Sequence, residues 1–181
     1  DIESRIAVDI LASETQFALL SVLSCGDIGN SFLSKELAEL GDKLSYLEES
    51  RGVDDTEVVN LKKYYSLLEI KDYLLVSKIG EQCPHKLIPI LFFYSADCSK
   101  CDEQGYVLTR LRQDHEQLRI YSFDYEIEVS AVKTLASVYK ADTLPALVIN
   151  GKAYSGLQYI RDVEKIIPEI QDSNSIDLII S

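Results

Sequence analysis

The sequence has no methionine, no tryptophan and only two histidines among its 181 residues. Basic residues are also few, because 18 Lys and Arg stand against 30 Asp and Glu, for a net charge of −12. Phosphate would be repelled by such a chain, so no nucleic-acid partner is predicted. No apolar run approaches the roughly 18 residues that a membrane-spanning helix needs. Apolar residues still make up 46% of the chain, which excludes a wholly disordered protein and indicates a globular one.

The chain begins at Asp1 rather than at a methionine, and two explanations are open. In the first, a signal peptide or membrane anchor upstream of Asp1 has been removed. In the second, a purification tag has been cleaved. The first explanation would allow contact with a membrane through the missing anchor only.

Residues 1–84 are predicted to form a helical domain of three antiparallel helices joined by short loops. Apolar residues recur in each helix at steps of three and four, which is the period of a helix with one buried face. The first helix, over 2–24, is expected to bury a broad apolar face composed of Ile2, Ile6, Ile10, Leu11, Phe17, Ala18, Leu20 and Val22. The second carries a leucine seam from Leu33 to Leu47, and the third follows Asp54 and Asp55 and runs to about Ile79. This domain is interpreted as structural.

Residues 85–171 change to an α/β pattern with the order β-α-β-α-β-β-α, and 172–181 form a tail. The strands are predicted at 87–94, 119–124, 146–149 and 152–155, and the helices at 98–116, 129–139 and 157–170. The first two strands should be parallel, because a helix connects them. Asn150-Gly151 predicts a two-residue hairpin turn between the last two strands.

Cys98 and Cys101 enclose Ser99-Lys100 directly after a buried strand, at the opening of a helix. This spacing holds two thiols within disulfide reach, and a helix N-terminus favours a thiolate at the first of them. Cys101 is expected to be the more covered of the two, which suits a resolving cysteine. Zinc is the alternative, but a zinc site usually needs a second pair of ligands, and Cys25 and Cys83 are far apart in the sequence. We therefore predict no metal and no cofactor.

Pro145 stands at the start of the third strand, where an N–H would otherwise join the sheet. A cis Leu144–Pro145 bond would turn the chain sharply there. That turn would lie beside the two cysteines and leave the backbone of Leu144 open to a substrate strand. The alternative is an ordinary trans proline on an edge strand.

With these motifs in this order, residues 87–170 resemble the thioredoxin superfamily. The resemblance is carried by FFYSADCSKC, TLPALVING and YSGLQYIRDVEKII. It implies a thioredoxin-like fold and thiol–disulfide exchange with protein thiols or disulfides and a redox partner. Cys98 would be the nucleophile, Cys101 the resolving cysteine, and Leu144 and Pro145 the substrate-binding edge. The helical region before the motif is also similar to membrane-anchored, extracytoplasmic thioredoxin-like proteins of prokaryotes.

Three positions depart from the pattern of that superfamily. Asp97 precedes the first cysteine, where an aromatic residue is common. Tyr106 stands where a proline often kinks the helix, and Phe92 replaces a buried acid on the preceding strand. These departures favour a slower or more specialised exchange than fast thioredoxin-type reduction.

Cys25 and Cys83 are predicted to form a structural disulfide. In an up-down-up arrangement both would fall at the same end of the helical domain, closing a loop of nearly sixty residues. Such a bond persists outside the cytosol, so it would place the protein in the periplasm or at the cell surface. Two unpaired buried thiols and a cytoplasmic location are the alternative.

Two functions follow from these observations. The first is an enzyme, a thiol–disulfide oxidoreductase that acts on protein cysteines. The second is a non-catalytic interaction module in which the bridge between Cys98 and Cys101 is inert, and solvent access to Cys98 separates the two. His115, near a helix end, is expected to be a solvated surface residue rather than a catalytic one.

Overall fold

A computed structural model describes residues 2–22, 32–80, 83 and 87–171 of the protein. The chain divides into two compact units, Asp1–Lys86 and Leu87–Ser181. The predicted tail, 172–181, lies outside the described residues. The first unit contains three described helices: α1 (Ile2–Val22), α2 (Phe32–Arg51) and α3 (Thr56–Gly80).

Helices α2 and α3 pack in antiparallel fashion, because their contacts run in opposite chain directions. Glu48, near the end of α2, lies 3.5 Å from Lys62 near the start of α3. Leu37, nearer the start of α2, is buried with Leu68 and Leu75 further along α3. The leucine seam predicted for the second helix therefore faces the third, as its spacing indicated.

The turn between α2 and α3 is stabilised at both helix ends. Gly52 takes a positive φ of 91° and donates its N–H to the Glu48 carbonyl at 3.0 Å. Asp55 accepts hydrogen bonds on Oδ1 from the N–H groups of Glu57 (3.0 Å) and Val58 (3.2 Å). A carboxylate at this position satisfies donors of the first helical turn and suits the helix dipole.

The prediction of one broad buried face for α1 is wrong at four positions, one of which is the exposed Ala18. Helix α1 contacts α3, yet Ile10 is 54% exposed, Leu11 64% and Val22 78%. Apolar residues occur on more than one side of this helix, and a single neighbouring helix covers only one side of it.

The second unit is a mixed α/β structure, which confirms the predicted class. Its elements are β1 (Ile88–Tyr94), α4 (Cys101–Asp114), β2 (Leu118–Asp124), α5 (Ser130–Tyr139), β3 (Ala146–Ile149), β4 (Lys152–Ser155), α6 (Ile160–Ile166) and a 3₁₀ turn (Pro168–Ile170). The strands form one sheet in the order β2-β1-β3-β4.

Strand β1 lies inside the sheet, which explains its nearly continuous apolar sequence. It pairs in parallel with β2, where Ile90 faces Ile120, and antiparallel with β3, where Phe92 faces Leu147. The hairpin predicted between β3 and β4 is confirmed. Asn150 (φ 52°) and Gly151 (φ 77°) both take the left-handed conformation that a tight two-residue turn of this kind requires.

Two predicted helices differ from the structure at their ends. The helix predicted over 98–116 occupies only Cys101–Asp114. Cys98 lies in a turn before it, where the Cys98 N–H donates to the Ser95 carbonyl at 3.3 Å. The helix predicted over 157–170 is shorter, since α6 ends at Ile166. Pro168 follows and begins a 3₁₀ turn, because its ring blocks the helical path and it has no N–H.

One hydrophobic core cluster of the second unit lies between the sheet and the helices α4 and α6. Its buried members come from β1 and β3 (Ile90, Phe92, Leu147, Ile149), from the start of β2 (Leu118), from α4 (Cys101, Leu108, Leu111), and from α6 and the residues after it (Val163, Ile167, Ile170). The second cysteine of the motif is therefore part of the hydrophobic core.

Candidate functional site

The two cysteines of the CSKC motif are joined to each other. The Sγ atoms of Cys98 and Cys101 lie 2.06 Å apart in a disulfide, and their Cα atoms are 5.4 Å apart. The turn that follows β1 brings them together: the Cys101 N–H donates to the Cys98 carbonyl at 3.3 Å. The prediction that this spacing holds the thiols within disulfide reach is confirmed.

The two sulfur atoms differ in their surroundings. Cys101 is 4% exposed and belongs to the core cluster, whereas Cys98 is only partly buried and packs at the margin of that cluster. Cys101 is thus the more covered residue, as the sequence predicted. An attacking group from another molecule reaches the first sulfur more readily than the second.

Charged side chains around the motif are exposed and mostly acidic. Asp97, Asp102 and Glu103 carry three carboxylates within a segment that has one cation, Lys100. Lys100 Nζ lies 3.3 Å from Glu103 Oε2, an exposed pair that contributes little to stability. Asp102 and Glu103 stand in the first turn of α4, where acidic groups suit the helix dipole. The rim around Cys98 is therefore acidic overall.

The Leu144–Pro145 peptide bond is cis, which confirms the prediction for it. Pro145 is buried and immediately precedes Ala146, which faces Phe93 in the register of β3 with β1. This pairing places Pro145 beside the end of β1, from which the CSKC turn departs. Leu144 packs against the same core cluster as Cys98.

The backbone of Leu144 is available for pairing. Among the described residues, no hydrogen bond to another backbone group involves the N–H or the C=O of Leu144. By contrast, the Pro145 carbonyl accepts a hydrogen bond from the Gly156 N–H at 2.8 Å. Within the described part of the chain, the donor and the acceptor of Leu144 are thus not paired with other backbone groups.

Sequence reasoning missed one residue of this site, Gln104. Its side chain is completely buried on α4 and makes two hydrogen bonds to the backbone of Gln158, in the loop between β4 and α6. The sequence did contain a signal. Gln104 falls three residues after Cys101 and four before Leu108, on the buried face of the helix, where a polar side chain needs a partner.

Two further expectations about single residues have clear outcomes. Phe92, which stands where the superfamily often has an acid, is 5% exposed, and its ring centroid lies 5.6 Å from that of Tyr94. The prediction that His115 is solvated is wrong, because this residue is 3% exposed. The chain turns directly after α4, where the His115 N–H donates to Leu111 and its carbonyl accepts from Leu118, so the residue is drawn inward.

Cys83 is 8% exposed and is disulfide-bonded. Cys25, its predicted partner, lies outside the described residues, so the Cys25–Cys83 pairing stays a prediction.

Within 2–22, 32–80, 83 and 87–171, no group of three or more His, Cys, Asp or Glu side chains is placed to hold a metal ion. In the same residues, no helix combines the length and the hydropathy needed to cross a bilayer.

Comparisons with known proteins include a distant likeness to a solved structure. No protein-family model matches the chain, and no curated protein matches it. A solved structure described as "Structure of a malarial protein" is 14% identical, with a TM-score of 0.39. The match covers 46% of this chain and 97% of that one. This likeness is too distant to establish a shared fold or a shared activity.

Proposed function

We propose that the protein is a thiol–disulfide oxidoreductase with a thioredoxin-like second unit, which exchanges disulfides with protein substrates through Cys98 and Cys101. The observation that carries the proposal is the bridge between an accessible sulfur and a buried one. Cys98 is partly exposed, and Cys101, one helical turn behind it, is 4% exposed. This asymmetry suits one sulfur that attacks a partner and a second that releases it.

The chemistry follows from that arrangement. In the reduced protein, the Cys98 thiolate attacks a substrate disulfide, forms a mixed disulfide and expels the first substrate thiolate, which takes up a proton. The Cys101 thiolate then attacks Cys98 Sγ. This step forms the Cys98–Cys101 bridge and expels the second substrate thiolate. Two electrons have passed to the substrate, and the same steps in reverse oxidise a substrate dithiol.

Two arrangements in the second unit support a thioredoxin-like site. The parallel pairing of β1 with β2 and the antiparallel pairing of β3 with β4 are compatible with the element order expected for this segment. Leu144, beside the end of β1, has a backbone donor and acceptor that are not paired with other backbone groups in the described part of the chain, and an extended substrate segment would use them. A substrate bound there would present its sulfur near Cys98.

We further propose that the protein works outside the cytosol, in the periplasm or at the cell surface. The support is Cys83, which is buried and disulfide-bonded. Structural disulfides persist in oxidising compartments and are rare in the cytosol.

The experiment that tests the enzyme is reduction of insulin by dithiothreitol, followed by turbidity. Wild type should accelerate the reaction, and Cys98→Ser should abolish the acceleration. Cys101→Ser should instead accumulate a mixed disulfide with an insulin chain, visible on a non-reducing gel. Ser99→Ala, which changes an exposed residue between the two cysteines and leaves both thiols, is the matched control and should behave as wild type.

Equal insulin-reduction rates for wild type and Cys98→Ser would refute the enzyme. The remaining interpretation would then be a non-catalytic interaction module with an inert bridge.

A further inference from the structure

Gln104 is held by two complementary hydrogen bonds rather than by packing alone. Its Nε2 donates to the Gln158 carbonyl at 3.0 Å, and its Oε1 accepts from the Gln158 N–H at 2.7 Å. The side-chain amide pairs with the backbone of the loop as a neighbouring strand would. Both polar atoms of a completely buried side chain are thereby satisfied.

The loop that Gln104 holds is joined in turn to the proline segment. The Gly156 N–H donates to the Pro145 carbonyl at 2.8 Å. The Gln158 side chain donates from Nε2 to the Gly156 carbonyl at 3.3 Å, which stiffens the loop from within. A continuous set of hydrogen bonds therefore runs from α4, one turn after Cys101, through the loop to Pro145.

Packing alone does not require an amide at this position. The neighbouring buried positions on the same face of α4 are Leu108 and Leu111. A leucine at 104 would fill similar space, but it would leave the N–H and C=O of Gln158 without these partners. Hydrogen bonds are directional, so the amide fixes the position of the loop along α4, which an apolar contact would not do.

We propose that Gln104 is a positioning residue for protein substrates, an inference that rests on the proposed function. Gln104 holds the loop, and through it Pro145 and Leu144, in register with Cys98. An extended protein substrate must pair with the Leu144 backbone while its sulfur meets Cys98, so it depends on that register. A small disulfide without a peptide backbone needs only to reach the partly exposed Cys98, so it does not depend on that register.

The test compares two substrates in single-turnover reactions of the reduced protein. Insulin provides a protein disulfide and cystamine a small one, and formation of the Cys98–Cys101 bridge is followed by acid quench and mass spectrometry. For Gln104→Leu we expect the second-order rate constant with insulin to fall about tenfold, the size expected when hydrogen bonds of ordinary net strength are lost. We expect the loss to appear as a higher insulin concentration at half-maximal rate. The rate constant with cystamine should stay within about twofold of the wild-type value.

Gln113→Leu is the matched control, because Gln113 is an exposed glutamine on the same helix. It should leave both rates unchanged. A merely structural role for Gln104 would lower the insulin and cystamine rates together, and that result would overturn the proposal. Unchanged insulin reduction by a folded Gln104→Leu protein would overturn it as well.

A second variant and a second measurement guard against misfolding. Gln104→Met has the same chain length without the amide, and it carries the comparison if Gln104→Leu does not fold. In the wild-type protein the Gln158 amide should exchange its hydrogen slowly, and fast exchange would refute the hydrogen-bonded arrangement. If the wild-type protein reduces neither insulin nor cystamine, the proposed function itself is refuted. If it reduces both, the comparison with the Gln104 variants tests the positioning role alone.

Discussion

Breaking the Cys98–Cys101 bridge should destabilise the protein only mildly, and this can be tested with single serine substitutions. Cys98→Ser removes the bridge while Cys101 keeps its buried place in the core as a thiol. Cys25→Ser would remove the other predicted bridge and leave Cys83 in the same way. The two variants therefore compare a short disulfide loop with a long one in a single protein.

The expected magnitudes come from the lengths of the two loops. Cys98 and Cys101 are separated by three positions in the sequence. Restricting so short a loop in the unfolded chain is worth about 2 kcal/mol, whereas a loop of nearly sixty residues is worth about 4 kcal/mol. Cys98→Ser should thus lose about half as much free energy of unfolding as Cys25→Ser.

The assay is urea unfolding of both variants without reductant, with far-UV circular dichroism and tyrosine fluorescence as parallel probes. A loss above about 4 kcal/mol for Cys98→Ser, or a loss larger than that of Cys25→Ser, would refute the reasoning. It would mean that the CSKC bridge is a main structural element of its unit. Peptide mapping without reduction checks the premise, because Cys25 and Cys83 should be recovered as one linked peptide.

Two further pairs of variants test the backbone arguments. Gly156 has a φ of 83° and open space around its Cα, so Gly156→Ala should cost roughly 1–2 kcal/mol of backbone strain. Gly105 lies inside α4 and is also in open space, so Gly105→Ala should stabilise the protein by roughly 0.5–1 kcal/mol. Chemical unfolding of both variants measures the difference, and the same sign of change at both positions would contradict it. Asp55→Ala should lose about 1 kcal/mol, because Oδ1 of Asp55 caps α3, while the exposed Asp54→Ala should change stability by less than about 0.5 kcal/mol. Equal losses in the two Asp variants would show that the cap contributes nothing.

The sheet of the second unit was largely readable from the sequence, because strong local signals determine it. The apolar run in β1 indicated a strand covered on both faces, and Asn150-Gly151 fixed the hairpin. β3 and β4 occupy the predicted residues, and β1 and β2 begin within one residue of the prediction. Where local sequence and tertiary environment favour the same conformation, pattern reasoning places an element closely.

The sequence predicted less well where tertiary contacts decide. Residues 98–100 were predicted to belong to α4 but form a turn, because the chain needs a connection between the end of β1 and the start of the helix. Exposure on α1 depends on which side α3 covers, and the pattern of apolar residues does not specify that side. The position of Gln104 on the buried face of α4 indicated that its amide needs a partner, but no local pattern identifies that partner, because Gln158 is 54 residues away in the sequence.

The surroundings of Cys101 also indicate which step of the proposed exchange is slower. Cys101 packs in a cluster of apolar residues that includes Phe92. A disulfide is neutral and loses little hydration on burial there, whereas a thiolate at Cys101 would be a charge in an apolar environment. In the proposed exchange, a thiolate at the buried Cys101 would therefore cost more to form than one at the partly exposed Cys98, and the second attack would be the slower step. The proposed enzyme would therefore hold its substrate covalently for longer than a fast reductase does. The hydrogen bonds that keep the substrate edge in register would matter most during that interval.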